Sequence, residues 1–255
     1  MQHESVERMP GEILSPTSAI TYLACSAKWR FRYICGLPDP AGGGAVRGKA
    51  VHKAIEYYMR AKMAGVVLQA ADVMAEWDMI FDEAAEGAEF HSYENIAALK
   101  ASGEVLATKY LTKAAPEIEP AAVEVPLLGV INGVAVRGYA DIVTTEGAII
   151  DVKTTSRKPS AIAADHALQL ATYVELYEGG NGQARIDSLV STKEPQLIHI
   201  NGTPGAKGKQ FVERIYPMVV DAINGGLFMP NRSAMNCARC PYTSECCEEF
   251  GGEVQ

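Results

Sequence analysis

Apolar residues recur along this chain with two different periods, and the switch between them divides it. Up to about residue 114 they return every three or four positions, the spacing of helices with one buried face. Ser15-Pro16 predicts a helix start, with Ser15 as N-cap and Pro16 at the first helical position. Ile20, Leu23, Ala24, Ala27, Phe31 and Ile34 carry one helix forward until Gly36 and Pro38 end it, and Gly42-Gly43-Gly44 reads as a flexible connection. A second helix is expected from about Gly48 to Gly65 on the stripe Val51, Ile55 and Tyr58, with His52 and Glu56 stacked beside it. Two more are expected over 70–88, on Val73, Trp77, Ile80, Phe81 and Ala84, and over 94–114, on Ile96, Leu99, Leu106 and Tyr110.

From Ala122 the period becomes two, and strands are expected at 122–128, 132–144 and 148–154. Glu146-Gly147 marks a hairpin turn, because Gly147 can take the positive φ that a three-residue loop needs. With residues 145–147 as loop, paired positions sum to 292, and Asp141 falls opposite Asp151. Ile149, Asp151 and Lys153 then share one face of the second strand, and Ala148, Ile150 and Val152 the other. A helix over 160–178 follows on Leu170, Val174 and Tyr177, with Gln169 and Tyr173 four apart on a neighbouring line. Strands at 185–192 and 196–201 and a helix over 208–225 complete the pattern. The order predicts an α/β chain with a mixed sheet and helices packed on it.

Composition fits a globular chain: 255 residues, 48% hydrophobic and 21% charged. No long uncharged apolar run suggests a membrane span, and MQHESVERMPGEI lacks the features of a signal peptide, so a cytoplasmic location is expected. Net charge is −8, but unevenly spread: residues 26–62 hold eight Lys/Arg against two acids, and 70–125 twelve acids against three Lys. That asymmetry suits a one-sided footprint for a polyanion.

The hairpin carries the first candidate chemistry. Two carboxylates opposed across a ladder repel unless a cation lies between them. Asp141 and Asp151 offer two oxygens to Mg²⁺ or Mn²⁺ and the Val152 carbonyl a third, while Lys153 can orient a water or neutralise charge on a phosphate. Ile149, Ile150 and Val152 mark the strand as central, where charges are costly unless partnered. His52 joins this site if its helix packs beside the hairpin. A second signal is Cys237-x2-Cys240-x5-Cys246, three thiols needing a fourth from Cys25 or Cys35, with Cys247 a local spare. A C-x2-C half-site suits Zn²⁺, and the x5 gap suits a four-iron cluster as well. Lys28, Arg30, Arg32, Arg47, Lys49 and Lys53 lie on the helices expected to flank the hairpin, and Trp29, Phe31 and Tyr33 among them are candidates either for base stacking or for core.

Taken in order, S-P-T-S…Cys25, G-K-A-V-H-K-A-I-E, R-G-Y-A-D, I-I-D-V-K, Q-L-A-T-Y and the cysteine triplet resemble the RecB-like branch of the PD-(D/E)xK nuclease superfamily. That branch includes iron–sulfur members such as the AddB nuclease domain and the CRISPR-associated RecB-like exonucleases. The resemblance implies a restriction-endonuclease-like fold: a mixed central sheet flanked by helices, with a C-terminal cysteine tail closing onto an N-terminal helical portion. It implies one domain over 1–255, mainly helical at 13–120, with the core sheet and helix at 121–201 and the last helix and cysteines at 202–249. It further implies Mg²⁺ or Mn²⁺ held by His52, Asp141 and Asp151 with Lys153 catalytic, Gln169 and Tyr173 at the DNA, and [4Fe–4S] on Cys25, Cys237, Cys240 and Cys246. Ala140 replaces the proline of the family's name, and Glu124 falls where relatives often carry a glutamate, as a secondary site residue. The expected activity is metal-dependent exonucleolytic hydrolysis of DNA at single-stranded ends, in repair, recombination, phage or CRISPR-adaptation processing. Two alternatives are a nuclease-fold subunit that binds DNA ends and acts only within a larger complex, and a zinc-clipped DNA-binding module.

Overall fold

The structure, a computed structural model, describes residues 13–253; the stretch 1–12, where a signal peptide was sought, lies outside them. The first helix starts where expected, Ser15 Oγ accepting the Ser18 N–H at 3.1 Å. It does not run on to Ile34. Cys25 takes an extended backbone (φ −161°, ψ 102°) and separates α1 (Pro16–Ala24) from α2 (Ser26–Tyr33). Helix α3 (Gly43–Met63) begins inside the glycine run, which is therefore helix and not linker. A Cβ on Gly43 would lie 2.4 Å from Leu99 Cδ1, so packing, not flexibility, accounts for that glycine. The expected helix over 70–88 divides into α4 (Ala70–Met74) and α5 (Trp77–Ala84), and α6 (Ile96–Lys113) follows under an Asn95 cap.

The strands are β1 (Ile13–Leu14), which the periodicity missed, β2 (Pro120–Ile131), β3 (Val134–Thr144), β4 (Ile149–Thr155), β5 (Ala184–Val190) and β6 (Gln196–Asn201). Helix α7 (Ala164–Leu176) connects β4 to β5, and α8 (Ala206–Asn224), α9 (Ala234–Cys237) and α10 (Thr243–Phe250) end the chain. Strand pairing follows the order β1-β3-β4-β5-β6, with β2 also on β3. The sheet is mixed: β1–β3 and β4–β5 are parallel, β3–β4 and β5–β6 antiparallel. No helix among the described residues is long and apolar enough to cross a membrane.

The chain divides into two compact units: residues 13–39, 128–138 and 206–253, and residues 40–127 with 139–205. In the larger unit Val46, Ala50, Val51 and Ala54 of α3, Trp77 and Phe81 of α5, and Leu106 and Tyr110 of α6 pack against Ile142, Ile150, Val152 and Leu189 of the strands. Asp187 is fully buried in this unit and accepts the Tyr110 hydroxyl at 2.9 Å and Arg185 Nε at 2.9 Å, with His199 Nδ1 at 2.6 Å. In the smaller unit Ala27, Phe31 and Tyr242 form a small core edged by Cys25, Cys240 and Cys246. Trp29 is 1% exposed, donates Nε1–H to Ser18 Oγ at 2.8 Å and stacks on Phe228, so it belongs to the core.

Candidate functional site

The β3–β4 hairpin has the register expected of it. Ile142 pairs with Ile150 and Val143 with Ile149, and Gly147 adopts φ 82° in the turn. Continued by one pair, that register sets Asp141 against Asp151. The Asp141 side chain turns back to the neighbouring strand, where Oδ2 accepts the Val152 N–H at 2.6 Å. Helix α3 packs on β4, and this brings His52 Nδ1 to 3.5 Å from Asp141 Oδ2.

Glu124 completes the group: one ligand atom from each of His52, Glu124 and Asp141 lies within 4.8 Å of the others. The sequence had ranked this glutamate as secondary. It reaches the cluster from β2 with φ 50°, a left-handed conformation rare for any residue with a side chain. These three residues, with Ile55, Glu56, Val123, Ile142 and Val152, line a pocket of about 10 Å³, room for roughly one water-sized sphere. Asp151 is 1% exposed. Lys153 Nζ stands 3.1 Å from its Oδ1, as a hydrogen bond, and 2.9 Å from its Oδ2, which has no hydrogen bond of its own.

The titrating groups register this crowding. Burial and the charge of Asp141 push the Asp151 carboxyl up to about 6, against the pull of Lys153. Burial also opposes ionisation of Asp141, but the charge and hydrogen bond of His52, then Lys153 and the Val152 N–H, hold its carboxyl below the usual range. Burial works against the His52 imidazolium, yet Asp141 raises it to about 8. Glu124 is pushed up by burial and by Asp141. Three carboxylates share one space with too little positive charge, so the group is one that gains by taking up a cation. Carboxylate oxygens with one imidazole are a hard donor set, suited to Mg²⁺ or Mn²⁺.

Beside this cluster α7 packs on β4. Gln169 Nε2 donates to the Tyr173 hydroxyl at 2.7 Å. Tyr173 is buried, so its hydroxyl is used within the protein. His166 stands one turn before Gln169 and within electrostatic range of Lys153; burial first, and Lys153 further, lower its pKa. The sequence reading passed over it, although its place three residues before Gln169 marks the same helix face.

Four of the six cysteines converge in the smaller unit. Cys25, Cys237, Cys240 and Cys246 line one pocket with Ala27, Lys28, Phe31 and Tyr242, while Cys35 is exposed and neither it nor Cys247 lines that pocket. Cys25 Sγ accepts the Asn231 N–H at 3.4 Å, and Cys246 Sγ the Arg232 guanidinium at 3.7 Å. Sulfurs that accept hydrogen bonds are what ligating thiolates require around them. The basic residues are less uniform. Arg30 pairs with Glu249, and Arg32 with Asp39 at 2.7 Å. Arg47 is half-buried and donates to Ser191 Oγ at 3.1 Å; Lys49 is exposed on α3.

The model of the PD-(D/E)XK nuclease superfamily matches residues 13–247. A crystal structure from Eubacterium rectale, of a protein provisionally named an exonuclease, superposes with a TM-score of 0.59 at 14% identity, over 95% of this chain and 93% of its own. At that identity the likeness speaks to the fold. A second solved structure, SSO0001, is 14% identical over 87% of this chain and 93% of its own, and its TM-score of 0.39 adds nothing to the argument. No curated protein matches. The hairpin with its carboxylates and lysine falls within the matched span, and that span is nearly the whole of the sequence: the chain belongs to the PD-(D/E)XK nuclease superfamily.

Proposed function

We propose that this nuclease is a Mg²⁺- or Mn²⁺-dependent deoxyribonuclease that degrades DNA exonucleolytically from single-stranded ends, as one RecB-like domain. The observation that carries the reading is the convergence of His52, Glu124 and Asp141 beside the buried Asp151 and Lys153. His52, Asp141, Asp151 and the Val152 carbonyl would hold the cation, with Glu124 a further donor. When bound, the cation supplies Lewis-acid polarisation of the phosphodiester. The protein's own groups do the remainder. Val152 N–H and His52 fix the Asp141 carboxylate in one orientation. Lys153 is held by Asp151 at the margin of the cluster, where its ammonium can offset charge developing on the attacked phosphate. Gln169 and Tyr173, joined by their own hydrogen bond on α7, stand beside the cluster toward the DNA, and Lys28, Arg30, Arg32, Arg47 and Lys49 supply positive potential for the DNA backbone, the two ion-paired arginines the least.

Cys25, Cys237, Cys240 and Cys246 are assigned to a structural [4Fe–4S] cluster, with Zn²⁺ as the alternative. Support comes from the shared pocket and from the hydrogen bonds onto two of the sulfurs. A role in repair, recombination, phage or CRISPR-adaptation processing, with a partner protein, rests on the resemblance alone.

Degradation of end-labelled single-stranded DNA in Mg²⁺ or Mn²⁺ tests the activity. Asp151→Ala and Lys153→Ala should each abolish it while leaving the circular dichroism spectrum intact, and an Asp151→Ala protein as active as wild type refutes the assignment. Anaerobically purified protein should be brown, with iron and sulfide near four per chain and a band near about 400 nm, which d¹⁰ Zn²⁺ does not give.

A further inference from the structure

Tyr139 stands on β3 two residues before Asp141, so both side chains leave the strand on the same face. Between and after them Ala140 and Ile142 are fully buried, whereas Tyr139 is 58% exposed. Among the described residues its ring stacks on no other. Trp29 and Phe31, the aromatics that the basic helices offered for stacking, are 1% and 4% exposed and have no face to give. Tyr139 is the large aromatic that the strand presents to solvent beside the carboxylate cluster.

Its backbone, by contrast, is fixed. Strand β3 is paired on both sides of this residue, with β1 at Ala135 and Val136 and with β4 at Ile142 and Val143. Two residues of strand span about 6.7 Å. That is comparable with the reach from a phosphate to the base of its own nucleotide. A ring so placed is pre-positioned for a flat apolar ligand whose phosphate is held through a cation at Asp141.

We infer that Tyr139 is the stacking platform for an unpaired nucleobase next to the scissile phosphate, and that it gives the site its preference for single strands. This rests on the reading of the site as a DNA nuclease. A base within a duplex has its faces covered by its neighbours, while an unpaired base has one free. Stacking does not read base identity, so the preference is for strandedness and not for sequence.

The test uses the full chain with Ca²⁺ in place of Mg²⁺ and phosphorothioate linkages to suppress cleavage, with fluorescent oligothymidylate, a blunt duplex of equal length, and the same single strand carrying abasic sites. Tyr139→Ala should weaken binding of the intact single strand by roughly 5- to 150-fold, the loss carried by one stacked base. Tyr139→Phe and Tyr139→Trp should stay within about twofold of wild type, and duplex binding should be unchanged. On the abasic strand wild type and Tyr139→Ala should bind alike. The inference is overturned if Tyr139→Ala binds the intact strand as wild type does, or if its deficit persists undiminished on the abasic strand, which would mark a structural role. Wild-type protein that binds none of the three DNAs overturns the nuclease reading itself and this inference with it. Wild-type binding with an indifferent Tyr139 removes the inference alone.

Discussion

Replacing Asp151 by Asn should make the metal-free protein more stable at neutral pH, although it removes one partner of an ion pair. Asp151 is 1% exposed, and burial together with the Asp141 charge raises its carboxyl from 3.8 to about 6. Between those two values the folded protein keeps a proton that the unfolded chain has released. Folded-state stability therefore falls as pH rises through this window, and the loss is complete above about 6. The interval of about 2.2 units, at about 1.4 kcal/mol per unit, sets the cost of the ionised side chain near 3 kcal/mol as an order of magnitude. Lys153 at 2.9 Å already reduces this cost, since its charge lowers the same pKa. Asn carries no charge at any pH. In EDTA, urea unfolding followed by circular dichroism should show Asp151→Asn more stable than wild type at pH 8, by up to about 3 kcal/mol, with the difference closing near pH 4. Added Mn²⁺ should invert the order, because the wild type gains stability by mass action and the variant loses a ligand. A variant less stable than wild type at pH 8 in EDTA would refute the reasoning, since the Lys153 pair would then outweigh burial.

Asp187→Ala should cost about 1–3 kcal/mol in urea unfolding at pH 7, because the buried Tyr110 hydroxyl loses its acceptor and β6 loses its tie through His199; no change would mean that these bonds carry no net stability. Cys246→Ser should lower bound iron, or zinc, and the thermal midpoint, while Cys247→Ser should change neither; metal analysis of both proteins decides, and equal loss would refute the choice of sulfur. Gly103→Ala on α6 should destabilise despite the better helix propensity of alanine, as its Cβ would meet Trp77 Cζ2 at 2.9 Å; a gain of about 1 kcal/mol instead would show that the ring yields freely.

The hairpin was legible because its signals are local. Turn chemistry at Glu146-Gly147 fixes the loop, the loop fixes the register, and charged residues in an apolar strand announce a cost that something must offset. Features that depend on a distant neighbour were not legible. Gly43 looked like linker because nothing nearby in sequence reveals Leu99 against it. The break at Cys25 involves no helix-breaking residue, so periodicity ran through it. Glu124 is a further member of the cluster that only the fold brings in. In sequence it is one acid in an ordinary strand, and only the φ of 50° at that point aims it at His52 and Asp141. The aromatics make the same point in reverse. Trp29, Phe31 and Tyr139 all neighbour charged or polar residues, and local pattern ranks the two beside arginines as the better nucleic-acid contacts. Burial reverses that rank, because Trp29 and Phe31 are buried in the smaller unit's interior while Tyr139 lies exposed on the strand face it shares with Asp141. Charge pattern identifies the groups able to hold a cation; which aromatic can meet a base is decided by the pleat of one strand.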